Sequence, residues 1–309
     1  MLAGDRVALA KLMTRVENGT GDVAGIMARI YSRIGRAEKL GVTGPPGAGK
    51  STLVDRLVGK LRGRRERVGV VAIDPSSPFS GGAVLGDRIR MQSHATDPGV
   101  FIRSLSTRGR RGGLARATRE ITHLLDAFGK DRIVIETVGV GQTELDIMEL
   151  AQTVIVVLVP EAGDTVQVMK AGLLEIAHIF VVNKADREGA ARMKTELQTM
   201  VQLRPNPGWE IPVLLTEAQA DRGIDELVAA IEAHRAHRAA HADERAGEAH
   251  REREFLDVLD GELRARLERR IGDESGMLAR VRRGEVDPYS ATRELLADRE
   301  ALRRLLEDA

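Results

Sequence analysis

The sequence predicts an α/β protein built on a doubly wound, mostly parallel sheet, with an N-terminal helical arm and a C-terminal helical region. Three observations predict it. Seven short apolar runs, at residues 39–43, 68–73, 100–104, 132–135, 154–159, 179–182 and 211–215, are separated for the most part by stretches of helical length and period. The runs are apolar at successive positions rather than alternate ones, as in parallel strands covered on both faces. Loops rich in glycine or acidic residues follow several of them, and doubly wound sheets bind ligands beyond the carboxyl ends of their strands. The 309 residues divide accordingly into an arm over 1–38, a sheet domain over 39–235 and a helical extension over 236–309.

In chain order, Leu2, Val7, Leu9, Leu12, Met13 and Val16 fall on one side of a helix that must pack on a neighbour. Charges scattered through this segment leave no continuous apolar core, so it does not read as a secretory signal. A second helical stretch over 26–34 leads into the seven runs. Over 234–254 the chain is highly charged, and His234, His237, His241 and His250 read there as a solvated helical face. Leu259, Leu263, Leu267 and Ile271 then form a stripe at i, i+4 spacing, which needs a partner surface from its own core or from a second copy of the chain. Asp287-Pro288 opens a last helix, as a cap residue followed by proline at the first helical position.

Composition limits the chemistry. With 42% apolar and 30% charged residues the chain is globular, and five Phe, two Tyr and one Trp are too few for a site built on base stacking. Zero Cys excludes disulfides, thiolate zinc sites, iron–sulfur clusters and thiol catalysis, and fits a cytoplasmic protein. The net charge of +1, with no apolar run of membrane-spanning length, argues against nucleic-acid and membrane partners. That balance hides a segregation. Residues 50–119 carry fifteen basic against five acidic side chains, whereas 120–235 carry ten basic against nineteen acidic.

The strongest motif is Gly44-Pro45-Pro46-Gly47-Ala48-Gly49-Lys50-Ser51, a complete phosphate-binding loop placed between a strand and a helix. Backbone N–H groups over 47–52, Thr52 included, can wrap phosphates; Lys50 can reach the β and γ oxygens and the Ser51 hydroxyl can ligate Mg²⁺. Asn183-Lys184-Ala185-Asp186 follows the strand over 179–182. A carboxylate at Asp186 can accept hydrogen bonds from the ring N–H and exocyclic amine of guanine, whereas adenine offers an acceptor there and would leave a buried carboxylate unpaired. The two motifs together predict GTP rather than ATP.

Glu136-Thr137-Val138-Gly139 follows the strand over 132–135. Glu136 can hold the metal through water, and the Gly139 N–H can meet the γ-phosphate and sense its loss. Glu stands where Asp is commoner in GTPases, and Val140 where Ras-like enzymes carry a water-orienting Gln. Gln142 lies two residues on, so slow intrinsic hydrolysis is expected. Asp74 and Asp87 bracket a Gly/Pro/Ser-rich stretch and read either as metal-shell carboxylates or as caps of a surface loop. Arg103 and the arginines over 108–111 read as a loop beside the phosphate site or a docking surface for an acidic partner. Asp164 and Lys170, after the strand over 154–159, read as an additional switch or as a helix cap with a solvated lysine.

With the phosphate loop, DPSSPFSGGAVLGDRIRM, ETVGVGQTE, PEAGDTVQVMKAG and NKAD in that order, the chain resembles the MeaB/ArgK family of P-loop GTPases, which includes the human methylmalonic aciduria type A protein. The resemblance runs across essentially the whole chain. It implies a homodimeric GTPase with slow turnover that acts as a chaperone of an adenosylcobalamin-dependent acyl-CoA mutase, gating cofactor loading and release and protecting the mutase. The cofactors implied are GTP or GDP and Mg²⁺, with adenosylcobalamin only through the partner. Carried onto this sequence, it makes Lys50 and Ser51 phosphate and Mg²⁺ contacts, and Asp74, Asp87 and Glu136 acidic residues of the metal and switch region. Asn183, Lys184 and Asp186 become base readers, with Thr216-Glu217-Ala218 in place of the family's guanine loop. Asp164 and Lys170 match an additional switch. Two rivals share the fold: a P-loop kinase or ATPase associated with amino-acid transport, and a metal-insertion GTPase, whose Cys ligands this chain lacks.

Overall fold

A computed structural model describes residues 1–74, 91–106, 113–137, 139, 148–160, 172–203, 208–241, 244–273, 276–300 and 303. Its centre is a sheet of β1 (Glu38–Thr43), β2 (Val68–Asp74), β3 (Val100–Ser106), β4 (Arg132–Glu136), β5 (Thr153–Leu158), β6 (Ile179–Asn183) and β7 (Val213–Thr216). Every recorded pairing is parallel, in the order β3-β2-β4-β1-β5-β6-β7. On one side of β1 the chain steps out to β2 and β3 and returns to place β4 between β2 and β1; on the other it winds outward through β5, β6 and β7.

The two-faced apolar strands follow from two core layers. Val154, Val156 and Leu158 of β5 point into one, and Ile155 and Val157 of the same strand into the other. The second layer is closed by α3 (Lys50–Gly63), through Leu53, Leu57 and Leu61, and by α7 (Ile224–Ala240), through Leu227 and Ile231. The first layer is closed by α4 (Gly113–Ala127) and α6 (Ala190–Gln202), the four-residue α5 (Leu173–Ile176), and the N-terminal α1 (Arg6–Asn18) and α2 (Val23–Ile30). Leu9, Met13 and Val16 of α1 lie on one helical face and are buried against α4. Full burial of each such side chain is worth about 2 kcal/mol, so the arm belongs to the core of this unit. Asp5 caps α1, accepting from the Val7 and Ala8 N–H groups at 2.8 and 3.0 Å.

The same arm uses an arginine that the sequence left open as a docking group. Arg103 on β3 donates to the Glu17 carboxylate and, at 3.3 Å, to the Thr14 hydroxyl, both on α1. Its charge is spent inside the molecule. The arginines over 108–111 lie outside the described residues.

The histidine face also differs from expectation. His234 on α7 is buried, with Nδ1 2.9 Å from the Thr153 hydroxyl at the start of β5. Its ring lies against His178 and Trp209 at centroid separations of 4.4 and 4.9 Å, and Trp209 donates to the His178 carbonyl at 2.9 Å. His237 and His241 extend the stack. Burial, then His178, Arg238 and His237, push the His234 pKa down to about 3. The charged composition of the segment concealed an inward face one residue wide.

The chain forms two compact units, Met1–His241 and Ala242–Ala309, and α7 runs on through residue 236 to Ala240. The second unit contains α8 (Glu244–Asp273), α9 (Gly276–Arg282) and α10 (Pro288–Ala297). Asp287 caps α10 as its sequence predicts, accepting from Tyr289 and Ser290 N–H at 3.0 Å. Phe255, Leu256, Val258, Leu259 and Leu263 of α8 are exposed. Among the described residues no helix is long and apolar enough to cross a membrane.

Candidate functional site

The phosphate loop joins β1 to α3 and owes its shape to glycines that no other residue can replace. Gly44 has φ 143°, and a Cβ there would lie 2.0 Å from the Val157 carbonyl oxygen. Gly49, at φ 86°, immediately precedes α3, and its Cβ would fall 2.4 Å from Asn183 Nδ2. Among the described residues no side chain caps α3, and its amino-terminal turn, from Lys50 to Leu53, adjoins the loop as an anion-binding terminus. Lys50 is buried and donates to the Gly44 and Pro45 carbonyls at 2.8 and 2.9 Å, which folds its ammonium back over the loop.

Glu136 ends β4, the strand paired with β1, in the register Val42↔Glu136. This adjacency brings its Oε1 to 2.6 Å from the buried Ser51 hydroxyl, which donates to it. Two oxygen donors with no nitrogen or sulfur between them suit a hard cation such as Mg²⁺, which takes one or two protein oxygens together with phosphate and water. Asp74 closes β2 on the other side of β4, and its backbone reaches the same edge of the sheet. The Asp74 side chain, Asp87, Gln142, Asp164 and Lys170 lie outside the described residues. Gly139 is described and partly buried, with its carbonyl accepting from the Thr43 hydroxyl at 2.7 Å.

At the other end of the site, β6 and β7 pair in the register Asn183↔Thr216. Asn183 is buried, and one amide ties three segments together: Nδ2 donates to the Ala48 carbonyl at 2.9 Å, while Oδ1 accepts from the Thr216 hydroxyl at 3.0 Å and the Ala218 N–H at 3.1 Å. Lys184 takes a left-handed conformation, φ 56°, and turns the chain so that the Ala185 N–H meets the Thr216 carbonyl at 3.0 Å. Asp186 is exposed. The sequence argument took this carboxylate as buried; here a base must itself cover it before a mispairing becomes costly. The backbone N–H groups of the guanine loop are engaged as well, Ala218 to Asn183 and Glu217 to the Arg222 carbonyl at 3.0 Å.

Three residues escaped the sequence reading. Arg56 on α3 donates to the Ala218 and Gln219 carbonyls at 3.2 and 3.4 Å, clamping the turn after β7. Thr43 and Thr137 hold Gly139 by their hydroxyls. No motif marks Arg56; the threonines stand at strand ends where valine packs equally well, and their hydroxyls were the available signal. A cavity of about 470 Å³ opens far from these groups, at the amino ends of β1 and β4. Its wall is an ion-pair network in which Arg132 bridges Glu66 and Glu232, and it contains none of the nucleotide motifs.

Comparison with known proteins identifies the fold and the family. A solved structure described as a LAO/AO transport system kinase superposes with a TM-score of 0.59 at 24% identity, covering 95% of this chain and 98% of that one, which shows a common fold. A protein of Pyrococcus abyssi carried under a provisional GTPase name is 48% identical over 96% of this chain and 94% of its own length. GTPase ArgK of Escherichia coli is 37% identical over 74% of this chain and 72% of its own. The mouse protein named methylmalonic aciduria type A homolog is 33% identical over 74% of this chain and 59% of its own. The family model described as methylmalonyl-CoA mutase-associated GTPase MeaB matches residues 9–270. A phosphate loop, a strand-end carboxylate beside its serine and an asparagine wired to the base loop, within a chain so matched, make this protein a GTPase of the MeaB family.

Proposed function

We propose that this GTPase is a chaperone of an adenosylcobalamin-dependent acyl-CoA mutase, methylmalonyl-CoA mutase or a relative, and that GTP binding and hydrolysis gate cofactor loading and release and protect the mutase. The observation that carries the reading is the extent of the family match. It spans residues 9–270, from α1 to α8, and so reaches well beyond the segments that handle the nucleotide. Adenosylcobalamin belongs to the partner; the chain's own cofactors are GTP or GDP and Mg²⁺.

In this reading the loop over 44–52 grips the phosphates, with Lys50 turning from its carbonyls to the β and γ oxygens. Ser51 and Glu136, with Asp74 and Asp87 in the surrounding region, would hold Mg²⁺, which would supply charge neutralisation at the phosphates. Gly139 reports the γ-phosphate, and Asp164 and Lys170 belong to a further switch that passes nucleotide state to the partner. Asn183, Lys184 and Asp186 read guanine, with the 216–218 loop closing behind the base. Residues 236–309 supply the homodimer contact, and the pair works in the cytoplasm.

The test follows mutase activity through many turnovers with the full-length GTPase and GTP, and with GDP in its place. GTP should prolong mutase activity relative to GDP. Lys50→Ala should lower hydrolysis by about 10²-fold or more and remove the difference between nucleotides. A mutase lifetime indifferent to the protein and its nucleotide would overturn the reading.

A further inference from the structure

We infer that Thr43 and Thr137 are positioning residues for the γ-phosphate response, forming a hydroxyl relay that pins Gly139 to the tip of β1 just before the phosphate loop. The relay is visible atom by atom. The Thr137 hydroxyl donates to Thr43 Oγ1 at 2.9 Å, and the Thr43 hydroxyl donates to the Gly139 carbonyl at 2.7 Å. Each hydroxyl has one proton to give; the longer 3.3 Å approach of Thr137 to the same carbonyl is its alternative use. The Thr137 N–H also donates to the Val42 carbonyl at 3.0 Å, so the backbone carrying the first hydroxyl is itself tied to β1.

Location gives the relay its consequence. Thr43 is the last residue of β1 and directly precedes Gly44, whose carbonyl accepts from Lys50. Gly139 is thereby held to the same short segment that begins the phosphate loop. Both threonines are 1% exposed. A buried hydroxyl is unfavourable unless it is hydrogen-bonded, and here the bonds go to one another and to the glycine. A single glycine leaving the end of β4 has a wide range of backbone angles. Pinning its carbonyl removes much of that range before nucleotide arrives, so less ordering remains when the Gly139 N–H meets a γ-phosphate. GDP has no γ-phosphate, so the relay acts on GTP selectively. This inference rests on the assignment of Gly139 as the γ-phosphate reporter.

The experiment measures binding of GDP and of a non-hydrolysable GTP analogue, with Mg²⁺, to the full chain. Thr43→Val and the double variant Thr43→Val/Thr137→Val should lower the preference for the analogue over GDP by about tenfold, the worth of one to two such hydrogen bonds, while GDP affinity stays unchanged. Thr43→Ser, which keeps the hydroxyl, should restore the preference. Gly139→Pro separates reporter from relay, since proline has no backbone N–H to offer a γ-phosphate. If Gly139→Pro leaves the preference untouched, the reporter assignment fails and the relay with it. If Gly139→Pro reduces the preference but Thr43→Val leaves it unchanged, raises it, or weakens GDP equally, the relay alone is refuted.

Discussion

Asn183 shows how one residue can be legible in type and illegible in task. Its four-residue motif predicts a base-reading strand end, but nothing local reveals that its amide also joins the Ala48 carbonyl to the Ala218 N–H. Those partners come from segments 135 and 35 residues away. Lys50 and Ser51 were legible in place, at the join of a glycine loop and a helix N-terminus, because eight contiguous residues fix that backbone, whereas their contacts with the Gly44 and Pro45 carbonyls and with Glu136 were not. Asp186 was legible in identity while its exposure was not. The difference yields a prediction: Asp186→Asn should weaken GTP binding and relax rejection of xanthosine nucleotides, by about 10- to 100-fold in relative affinity if two charge-assisted hydrogen bonds are exchanged. Competition binding with GTP, XTP and ATP checks it, and an unchanged base preference would remove the guanine assignment. Arg103 is the opposite case, since a basic run advertises a surface group, whereas α1 returns over β3 and takes that charge through Glu17.

At the scale of elements, the strands were read to within two residues because both of their faces are apolar over runs of only four to six residues, too short for a helix buried all round. The inward face of α7 at its carboxyl end was missed, because a single buried histidine among charges leaves no periodic trace. His234 joins α7 to β5 through Thr153, and its depressed pKa has a definite sign. An unfolded histidine takes up a proton near pH 6.5, while His234 in the folded chain stays neutral down to about 3. Its contribution to stability is therefore complete above about pH 6.5 and declines as pH falls toward 3, by at most about 1.4 kcal/mol per pH unit. His234→Phe should lower the melting temperature at pH 7.5, because Thr153 loses its partner, yet show a shallower loss between pH 6.5 and 5 than the parent chain. Trp209, the sole tryptophan and part of the same stack, reports both transitions by its fluorescence. Parallel pH profiles for the two proteins would show that His234 is not the titrating group.

For the molecule as a whole, the near-zero net charge first argued against polyanion partners, and the sheet explains why that inference does not extend to nucleotides. At the carboxyl edge of the sheet Lys50 lies buried over the phosphate loop and Ser51 faces Glu136, so one cation and one carboxylate from the two segments stand where a nucleotide with its metal would sit. The exposed apolar residues of α8 carry the prediction at this scale. If a second copy covers them, Leu259→Glu with Leu263→Glu should halve the solution mass measured by light scattering and leave the nucleotide affinity of each chain in place. A monomeric parent protein would refute the homodimer, and a dimeric parent whose mass the substitutions leave unchanged would refute α8 as its contact. The sequence by itself determined the parallel sheet, the phosphate loop, the choice of guanine and the family, because each is written in contiguous residues whose backbone geometry or hydrogen-bonding pattern is local. Only the tertiary structure decided which groups support them. Thr43 reaches Gly139, Asn183 reaches Ala48 and Ala218, Arg56 reaches the guanine loop, and Glu17 takes Arg103. Each of these contacts joins segments brought together by sheet order and helix packing, and a hydrogen bond between residues tens of positions apart leaves no mark on the spacing of either.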